Sequence, residues 1–279
     1  MKKKKLLIVG ASGFIGNNIY KSLTTNTNLE VIGTYFNTHK KNLIQLDYFN
    51  DNFYEYVNKF SPDYVIWAAG EKNLKITEAN FNYANKLIAS PICELIKNLK
   101  LNPFLIYLST DYVFSGDDGG YSVDDITNPL SNYGILKLKA EKLIKQNFKE
   151  FSIIRAGSVV GKGSTFYNWL IDSINESKSF NLFNNYFSPT PIQNVINLIQ
   201  DIINEKEIKK LNHVSGYQRI SRFELGLMLS KLMNRKCLIQ EADYRSSDIK
   251  MFRDLSLKYS YTSNKNIDLI TSLKKIIND

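Results

Sequence analysis

The chain has 279 residues, enough for one large domain or two closely joined ones, and a net charge of +9 at neutral pH. Hydrophobic residues make up 43%, no apolar run approaches the length of a membrane-spanning helix, and Cys93 and Cys237 belong to no CxxC pair. These features argue against a transmembrane segment, a disulfide framework and a cysteine zinc site, and they predict a protein of the reducing cytoplasm.

The positive charge has two further interpretations, nucleic-acid binding and attraction of small anions. The lysines are spread over many predicted helices, and no basic run is longer than the four lysines at 2–5. We therefore expect no nucleic-acid partner and no membrane partner. We expect the charge to attract anionic ligands such as nucleotides and sugar diphosphates.

The chain starts MKKKKLLIVGASGFIGNN. The four aliphatic residues from Leu6 to Val9 are too few for the apolar core of a signal peptide, and Gly10 interrupts them. They predict a short buried strand, which a glycine turn connects to a helix.

Strand and helix patterns alternate through the first half of the chain. The predicted strands are 6–10, 30–35, 64–69, 104–109 and 152–157, and the predicted helices are 14–25, 51–60, 78–99 and 132–147. This alternation predicts an α/β fold, a Rossmann-type doubly wound parallel sheet that forms a dinucleotide-binding domain over residues 1–157.

The second half, residues 158–279, is less regular. Residues 161–186 have no clear periodicity, and a helix over 192–204, a short strand over 212–216 and a helix over 221–233 follow. We expect a smaller, interleaved substrate-binding region that partly packs back on the Rossmann sheet.

A glycine-rich turn, GASGFIG, connects the first predicted strand to the first predicted helix. Gly10 allows the tight turn, Gly13 allows the backbone to approach a pyrophosphate, and Gly16 allows the helix to pack close to the sheet. The helix N-terminus adds free N–H groups and the positive end of a dipole. The turn predicts a dinucleotide site formed by Gly10, Ser12, Gly13, Phe14, Ile15 and Gly16.

The end of the next predicted strand, GTYFNTHKK, has no carboxylate. NAD-specific sites usually place an acidic side chain there to hold the ribose hydroxyls. Here Tyr35 stands at about that position and His39, Lys40 and Lys41 follow, so a 2′-phosphate is tolerated. NADP(H) is the predicted cofactor and NAD(H) the alternative, although these cations could equally serve to solvate a loop.

Further cofactor contacts are predicted in the two segments that follow. Asp47 is placed to accept a hydrogen bond from the adenine amino group, with Tyr48 beside it. The small residues Ala68, Ala69 and Gly70 end the next long strand and leave room for the cofactor ribose.

Tyr133 and Lys137 form a Y-x-x-x-K pattern on a predicted helix. The i, i+4 spacing places both side chains on one helix face, where the ammonium is predicted to lower the pKa of the phenol. Tyr133 then becomes a proton donor and acceptor for a carbonyl–alcohol interconversion, and Lys137 also contacts the nicotinamide ribose. A second match, Tyr261…Lys265, lies away from any strand end and is discounted.

A hydroxyl follows the predicted strand 104–109. Thr110, with Ser109 as the fallback, is predicted to orient a substrate carbonyl and to share the negative charge that develops on it. The predicted catalytic set is Thr110, Tyr133 and Lys137. Residues 115–131, rich in Gly and Asp, predict a mobile loop over the substrate. No metal site is predicted.

The motifs GASGFIG, LSTDYVFSG and YGILK together resemble the extended short-chain dehydrogenase/reductases, and STDYVFSG (109–116) resembles the dTDP-4-dehydrorhamnose reductase-like subgroup in particular. SPTPIQNV (188–195), HVSGYQRISRFELG (213–226) and FRDLSLKYS (252–260) are also similar to that subgroup, so the resemblance covers nearly the whole chain. It implies an NAD(P)H-dependent reductase of a nucleotide-linked 4-keto-6-deoxy sugar, in surface-polysaccharide or deoxysugar biosynthesis. It also implies Thr110, Tyr133 and Lys137 as the catalytic set.

Departures from the subgroup leave alternatives open. The segment from Trp67 to Asn73 differs from the usual Asn-Ala-Ala and indicates a different sugar, and residues 157–166 lack the aromatic residues expected near the nicotinamide. A dehydratase is disfavoured because Tyr112 stands where it needs a glutamate. A sugar-nucleotide epimerase of the same superfamily and a non-catalytic NADP-binding regulatory subunit stay as alternatives, and the chain is compatible with a homodimer.

Overall fold

The first half of the chain alternates strands and helices, as the hydrophobic patterns predict. The computed structural model describes residues 2–177, 179–205, 209–261 and 263–278. Up to residue 156 its elements are β1 (Lys4–Val9), α1 (Phe14–Leu23), β2 (Leu29–Tyr35), β3 (Ile44–Gln45), α2 (Asp51–Phe60), β4 (Tyr64–Trp67), α3 (Leu74–Ala79), α4 (Phe81–Ile88), α5 (Ser90–Asn98), β5 (Phe104–Thr110), α6 (Asn132–Asn147) and β6 (Phe151–Ala156).

The second half contains shorter strands and four further helices among the described residues. Its elements are β7 (Val159–Val160), α7 (Thr165–Asn175), β8 (Phe180–Phe183), β9 (Tyr186–Phe187), β10 (Thr190–Pro191), α8 (Ile192–Ile203), β11 (Leu211–Val214), β12 (Ile220–Ser221), α9 (Arg222–Leu232), β13 (Ile239–Ala242) and α10 (Leu269–Asn278).

Seven strands form one parallel sheet in the order β11-β6-β5-β4-β1-β2-β3. β1 pairs in parallel with both β2 and β4, and β4 pairs in parallel with β5. The chain therefore reverses its direction of growth between β1 and β4, which is where sheets of this kind bind ligands at the carboxyl ends of their strands. The predicted α/β Rossmann-type fold is confirmed.

Burial explains why the central strands are continuous apolar runs. The side chains from Leu6 to Val9 in β1 are at most 1% exposed, and Val65 and Ile66 in β4 are fully buried. A strand with helices on both faces of its sheet has no solvent side, so it shows no polar alternation.

The helix predicted over 78–99 is divided into three, and the prediction of one helix was wrong. Asn80 has an extended backbone between α3 and α4 (φ −147°, ψ 94°), and its side chain accepts a hydrogen bond from the N–H of Tyr83. Pro91 lies in the first turn of α5, where its missing N–H is not needed. The Asn80 cap and Pro91 therefore allow new helices to begin inside the segment that was predicted as one helix.

The described residues form two compact units. The first takes residues 1–113, 129–155 and 198–212, and the second takes 114–128, 156–197 and 213–279. The expected boundary at residue 157 lies close to the junction after Arg155, but two segments change sides. Residues 198–212 join the first unit because β11 pairs beside β6, and 114–128 join the second because Tyr121 exchanges backbone hydrogen bonds with Ser256 and Lys258. The substrate-binding role of 158–279 stays a prediction.

The second unit has a core of its own. Side chains of α7 and α9 are buried together there, among them Tyr167, Leu170, Leu225 and Leu229. Its short strands pair two by two, β7 with β10, β9 with β12 and β8 with β13. The segment 161–186, for which the sequence showed no period, thus contains a helix and strands.

In the segment 115–131, which was expected to be a mobile loop, the hydroxyl of Tyr121 accepts hydrogen bonds from three consecutive backbone N–H groups. Tyr121 Oη accepts hydrogen bonds from the N–H groups of Gly116, Asp117 and Asp118 at 3.0, 3.0 and 3.2 Å. The Tyr121 ring stacks on Phe114 with 4.3 Å between centroids. These contacts hold residues 114–118 against Tyr121.

Within the described ranges, no helix has both the length and the apolar content needed to cross a bilayer. The same part of the chain contains no cluster of His, Cys, Asp and Glu side chains suited to a metal ion. Cys93 and Cys237 are free thiols.

Candidate active site

The glycine turn after β1 packs tightly at two of its three glycines. Gly10 has a positive φ of +86°, and a Cβ atom there would lie 2.8 Å from the backbone of Ala69. A Cβ atom at Gly16 would lie 2.3 Å from the carbonyl oxygen of Gly10. Glycine at both positions therefore allows the start of α1 to approach the ends of β1 and β4.

Gly13 differs from these two because it is exposed. The nearest heavy atom to a Cβ at this position would be the Gly10 carbonyl oxygen, at an ordinary 3.4 Å. Gly13 is also the N-cap of α1, whose first turn has no side-chain cap and no acidic residue. The N–H groups of this turn therefore fit an anion such as a pyrophosphate, with Ser12, Phe14 and Ile15 half-buried around it.

The segment after β2 presents cations and no carboxylate. Tyr35 ends β2, and the exposed His39 packs edge-on against its ring with 5.3 Å between centroids. Lys40 is half-buried and Lys41 is exposed. This segment fits the 2′-phosphate of NADP, whose contacts with these residues stay a prediction.

The two residues predicted to meet the adenine have different surroundings. Asp47 is exposed, and its carboxylate accepts a hydrogen bond from the N–H of Phe49 at 2.9 Å. Tyr48 is buried against Trp67, with 5.7 Å between ring centroids, and burial raises the pKa of Tyr48 to about 12. Asp47 can still offer its second carboxylate oxygen to a ligand, whereas Tyr48 is part of the core beneath it.

The residues after β4 lie between the glycine turn and Lys137. Ala68 and Ala69 are half-buried, and Gly70 is exposed with a φ of +147°. A Cβ atom at Gly70 would lie 3.9 Å from Lys137 Nζ. The segment that contacts Gly10 through Ala69 therefore reaches Lys137 through the next residue.

The structure brings together the hydroxyls of Thr110 and Tyr133. Thr110 ends β5, is 6% exposed, and lies near enough to the phenol of Tyr133 to influence its pKa. The Thr110 hydroxyl donates to the Asp111 carboxylate at 2.9 Å and accepts from the N–H of Tyr112 at 3.3 Å. Asp111 was not predicted as a partner of Thr110, although its place next in the chain allows it.

The pKa of Tyr133 moves in the direction opposite to the one predicted. Burial raises it well above that of a free phenol, the neighbouring Thr110 hydroxyl opposes the rise, and the carboxylates of Asp111 and Glu71 add to it. The expected lowering by Lys137 fails because the ammonium is directed elsewhere. Tyr133 is consequently protonated at neutral pH, the state in which it can donate a proton.

The Lys137 ammonium is held at the end of β5. Nζ donates a hydrogen bond to the carbonyl oxygen of Leu108 at 2.8 Å and lies 4.7 Å from the centroid of the Tyr107 ring. Lys137 is 7% exposed, and burial lowers its pKa to about 8 while the Glu141 carboxylate acts in the opposite direction. The ammonium is thus the majority form at neutral pH, about one pH unit below its midpoint.

The start of α6 is fixed by its sequence. Ser131 caps the helix and accepts a hydrogen bond from the N–H of Gly134 at 3.1 Å. A Cβ atom at Gly134 would lie 2.1 Å from the carbonyl oxygen of Tyr112. The glycine after Tyr133 therefore lets the helix approach the end of β5, where Thr110 lies.

A buried ion pair lies one turn beyond Lys137 and was missed by the sequence analysis. Arg155 of β6 donates from Nε and a terminal nitrogen to the two Glu141 oxygens at 3.0 and 2.7 Å, and Ser109 donates to the same carboxylate at 2.6 Å. Glu141 is 0% and Arg155 2% exposed. The i, i+4 spacing from Lys137 was a signal for Glu141, whereas nothing in the sequence places Arg155 beside it.

The predicted residues therefore form one connected set in the first unit. The glycine turn contacts the segment after β4, that segment reaches Lys137, and Tyr133 of the same helix lies near Thr110. His39, Lys40 and Asp47 are on the segments after β2 and β3. Ser109, the fallback for Thr110, is bonded to Glu141 instead.

Residues 4–247 match the family model described as the RmlD substrate binding domain. The chain belongs to this family. Its membership confirms the resemblance to dTDP-4-dehydrorhamnose reductase-like proteins that the motifs indicated.

Curated relatives include two kinds of protein. The chain is 26% identical over 244 residues to methionine adenosyltransferase 2 subunit beta of Bos taurus, which covers 83% of this chain and 72% of that protein. It is 28% identical over 218 residues to dTDP-4-dehydrorhamnose reductase of Salmonella typhimurium, which covers 75% of this chain and 71% of the relative.

A solved structure shows that the fold is the one found in this family. The dTDP-4-dehydrorhamnose reductase of Bacillus anthracis, in complex with NADP, superposes with a TM-score of 0.88 at 20% identity and covers 99% of both chains.

Proposed function

We propose that this chain is a reductase that uses NADP(H), with NAD(H) as the alternative, to reduce a nucleotide-linked 4-keto-6-deoxy sugar. The observation that supports the proposal is that Thr110 lies near Tyr133 at the end of β5, and that Lys137, one turn further along α6, lies near the segment that contacts the glycine turn. The Salmonella relative supports the sugar class, and the Bacillus structure with NADP and the cations after β2 support the cofactor.

The cofactor residues fit a bound dinucleotide, because Gly13 leaves space beside the uncapped start of α1. When bound, the reduced nicotinamide would supply the hydride that the keto carbon accepts. Tyr133 donates its phenolic proton to the oxygen that becomes the hydroxyl, and its raised pKa keeps that proton available at neutral pH. A proton from solvent then restores the phenol.

Two further side chains set the electrostatics of this step. Thr110 turns its hydroxyl from Asp111 to the substrate oxygen and shares the charge that develops there. Lys137 holds a positive charge at the end of β5, where its ammonium donates to the Leu108 carbonyl oxygen. Ammonium groups also suit the ribose hydroxyls of the cofactor.

The proposed reaction also implies a cellular compartment and a set of partners. We place the reaction in the cytoplasm, in surface-polysaccharide or deoxysugar biosynthesis, where free thiols such as Cys93 and Cys237 persist. The substrate is the one partner that the proposal needs, and a homodimer is compatible with it. Neither nucleic acid nor a membrane has a part.

The similarity to methionine adenosyltransferase 2 subunit beta keeps a second candidate in the test, a non-catalytic NADP-binding regulatory subunit. The complete Thr110–Tyr133–Lys137 set supports an enzyme instead. An epimerase of the same superfamily is the remaining alternative, and it would retain its cofactor through turnover, whereas a reductase releases NADP after each cycle.

A direct assay separates these candidates. The protein is mixed with NADPH and with 4-keto-6-deoxy sugars linked to dTDP, UDP, GDP or CDP, and the absorbance of the reduced nicotinamide is followed. We expect consumption of NADPH with one of these sugars, and a fall in kcat of about 10²- to 10⁴-fold in Tyr133→Phe, the usual size of a general-acid contribution.

Two controls make the assay decisive. Quenching of tryptophan fluorescence should show equal NADPH affinity in the wild type and in Tyr133→Phe. Binding of NADPH without its consumption by any of the sugars would contradict the reductase and favour the regulatory subunit. Interconversion of two sugars without net loss of NADPH would favour the epimerase.

A further inference from the structure

The ammonium of Lys137, a residue of α6, makes its direct contacts with β5. Its direct contacts are with two consecutive residues of β5, the carbonyl oxygen of Leu108 at 2.8 Å and the ring of Tyr107 at 4.7 Å from the centroid. The side chain is 7% exposed. A cation in such a place keeps its charge because of the groups that contact it rather than because of water.

Tyr107 offers its ring and not its hydroxyl. The residue is fully buried in β5, and its hydroxyl oxygen has no hydrogen-bond partner among the described residues. An aromatic face within about 6 Å of an ammonium attracts it, and the attraction is largest where water is excluded. The contact with Lys137 is therefore the polar interaction that the Tyr107 side chain makes.

The titratable groups around Lys137 include Glu141, Tyr133 and Glu71, and in the described part of the chain none of these three forms a hydrogen bond or an ion pair with its ammonium. Glu141 lies one turn along α6, but Arg155 and Ser109 share its carboxylate. Tyr133, one turn in the other direction, is a neutral phenol at neutral pH. On the side of β4, a Cβ atom at Gly70 would lie 3.9 Å from Nζ, and Glu71 is the next residue in the chain.

We propose that Tyr107 is a positioning residue of the active site: its ring face and the Leu108 carbonyl hold the Lys137 ammonium charged and in place. The consequence for kcat rests on the proposed reductase function, whereas the contact itself does not. Because burial lowers the pKa of Lys137 to about 8 against the opposing effect of the Glu141 carboxylate, a loss of the ring's attraction leaves more of the amine uncharged near neutral pH.

The test changes the electron density of the ring while it keeps the shape of the core. Tyr107→Phe removes the unpartnered hydroxyl and retains the ring, and incorporation of trifluorophenylalanine at position 107 weakens the attraction of the same ring for a cation. The full-length protein is labelled with ¹³Cε-lysine, and the Lys137 signal is identified by its loss in Lys137→Met. Its chemical shift is then followed against pH.

We expect Tyr107→Phe to titrate like the wild type. In the fluorinated variant we expect the midpoint to move down by about one pH unit, which corresponds to a contact of about 1–2 kcal/mol. With a substrate in hand, the alkaline limb of kcat should move by the same amount, and the KM for the sugar should not change. Tyr107→Leu should reproduce the shift.

A matched control distinguishes the contact from a general effect of losing an aromatic residue. Tyr64→Leu removes a buried tyrosine of β4, which contacts Lys4 and not Lys137, and it should leave the Lys137 titration unchanged. An unchanged Lys137 midpoint in both the fluorinated variant and Tyr107→Leu would overturn the proposal. Because the titration needs no substrate, it stands even if no sugar is reduced, so the two proposals fail separately.

Discussion

Gly13 and Gly16 differ in what an added methyl group would meet, and so they should respond differently to alanine. At Gly16 the new Cβ would lie 2.3 Å from the Gly10 carbonyl oxygen, whereas at Gly13 the nearest atom would be at 3.4 Å. Gly16→Ala should lower the free energy of unfolding by about 1–3 kcal/mol, the usual cost of overpacking. Gly13→Ala should fold normally and bind NADPH at least tenfold more weakly, because the methyl group enters the space of the pyrophosphate.

Thermal unfolding and NADPH titration check both variants. We expect Gly16→Ala to lose thermal stability without a specific loss of NADPH affinity. We expect Gly13→Ala to lose NADPH affinity without a loss of thermal stability. Unaltered NADPH affinity in Gly13→Ala would show that the dinucleotide does not use this turn.

Lys137 should give the protein opposite pH dependences of activity and stability. Its pKa of about 8 means that the ammonium, and with it kcat, is lost as the pH rises through 8. In the unfolded chain the lysine keeps a pKa of about 10.4, so between these values the unfolded state binds more protons. The free energy of unfolding should therefore rise with pH across this window, relative to Lys137→Met.

Urea denaturation at several pH values, with Lys137→Met as the reference, measures the stability part of this prediction. A parallel pH dependence of the two proteins between pH 8 and 10 would mean that the lysine is not desolvated in the fold.

At the residue scale, the sequence identifies side chains whose function depends on local spacing. Gly10, Gly13 and Gly16 follow from one turn, and Tyr133 with Lys137 follows from one helix repeat. The direction of the Tyr133 pKa could not be predicted, because it depends on burial and on Asp111 and Glu71. Tyr107 reads as an ordinary core residue until its ring is found beside the ammonium.

At the scale of elements, Gly134 is the residue that sets the distance between α6 and the end of β5. Gly134→Ala would place a Cβ 2.1 Å from the Tyr112 carbonyl oxygen, although alanine is the better helix former. We expect the clash to outweigh propensity, with a loss of about 1–3 kcal/mol of stability and at least a tenfold lower kcat.

The exposed face of the same helix supplies the control for this prediction. Ile135→Ala changes a 41% exposed side chain one position further along and should alter both quantities little. A stable and fully active Gly134→Ala would show that the start of α6 can shift without consequence for Tyr133.

Elements were predicted well where burial leaves a simple pattern. The central residues of β1, β4 and β5 form runs without alternating charged positions because helices cover both faces of the sheet. The two-residue strands of the second unit, such as β9 and β12, are too short to show any period. The division of 78–99 into α3, α4 and α5 escaped prediction because Asn80 acts through its backbone angles and its cap.

At the scale of the whole molecule, the Glu141–Arg155 pair should matter more to stability than any exposed ion pair. Both side chains are almost fully buried, so Glu141→Gln removes the carboxylate that pairs with the Arg155 guanidinium and should cost about 3–5 kcal/mol. Glu94→Gln, in an exposed pair with Lys97, should cost less than about 1 kcal/mol. Urea denaturation midpoints of the two variants compare these costs.

A paired substitution tests whether the cost comes from the unmatched charge. Glu141→Leu combined with Arg155→Met removes both charges and should recover much of the lost stability. If the double variant is as unstable as Glu141→Gln, the loss comes from packing and the Ser109 hydrogen bond instead.

The position of this ion pair has a consequence for how the protein loses activity on heating. Glu141 is on the helix that carries Tyr133 and Lys137, and its partners Ser109 and Arg155 are on two neighbouring strands. The helix cannot move away from the sheet without separating the Glu141 and Arg155 charges. A partly unfolded species with a displaced helix and a water-free core therefore has too high a free energy to accumulate. Inactivation and melting curves recorded on one sample should therefore superimpose.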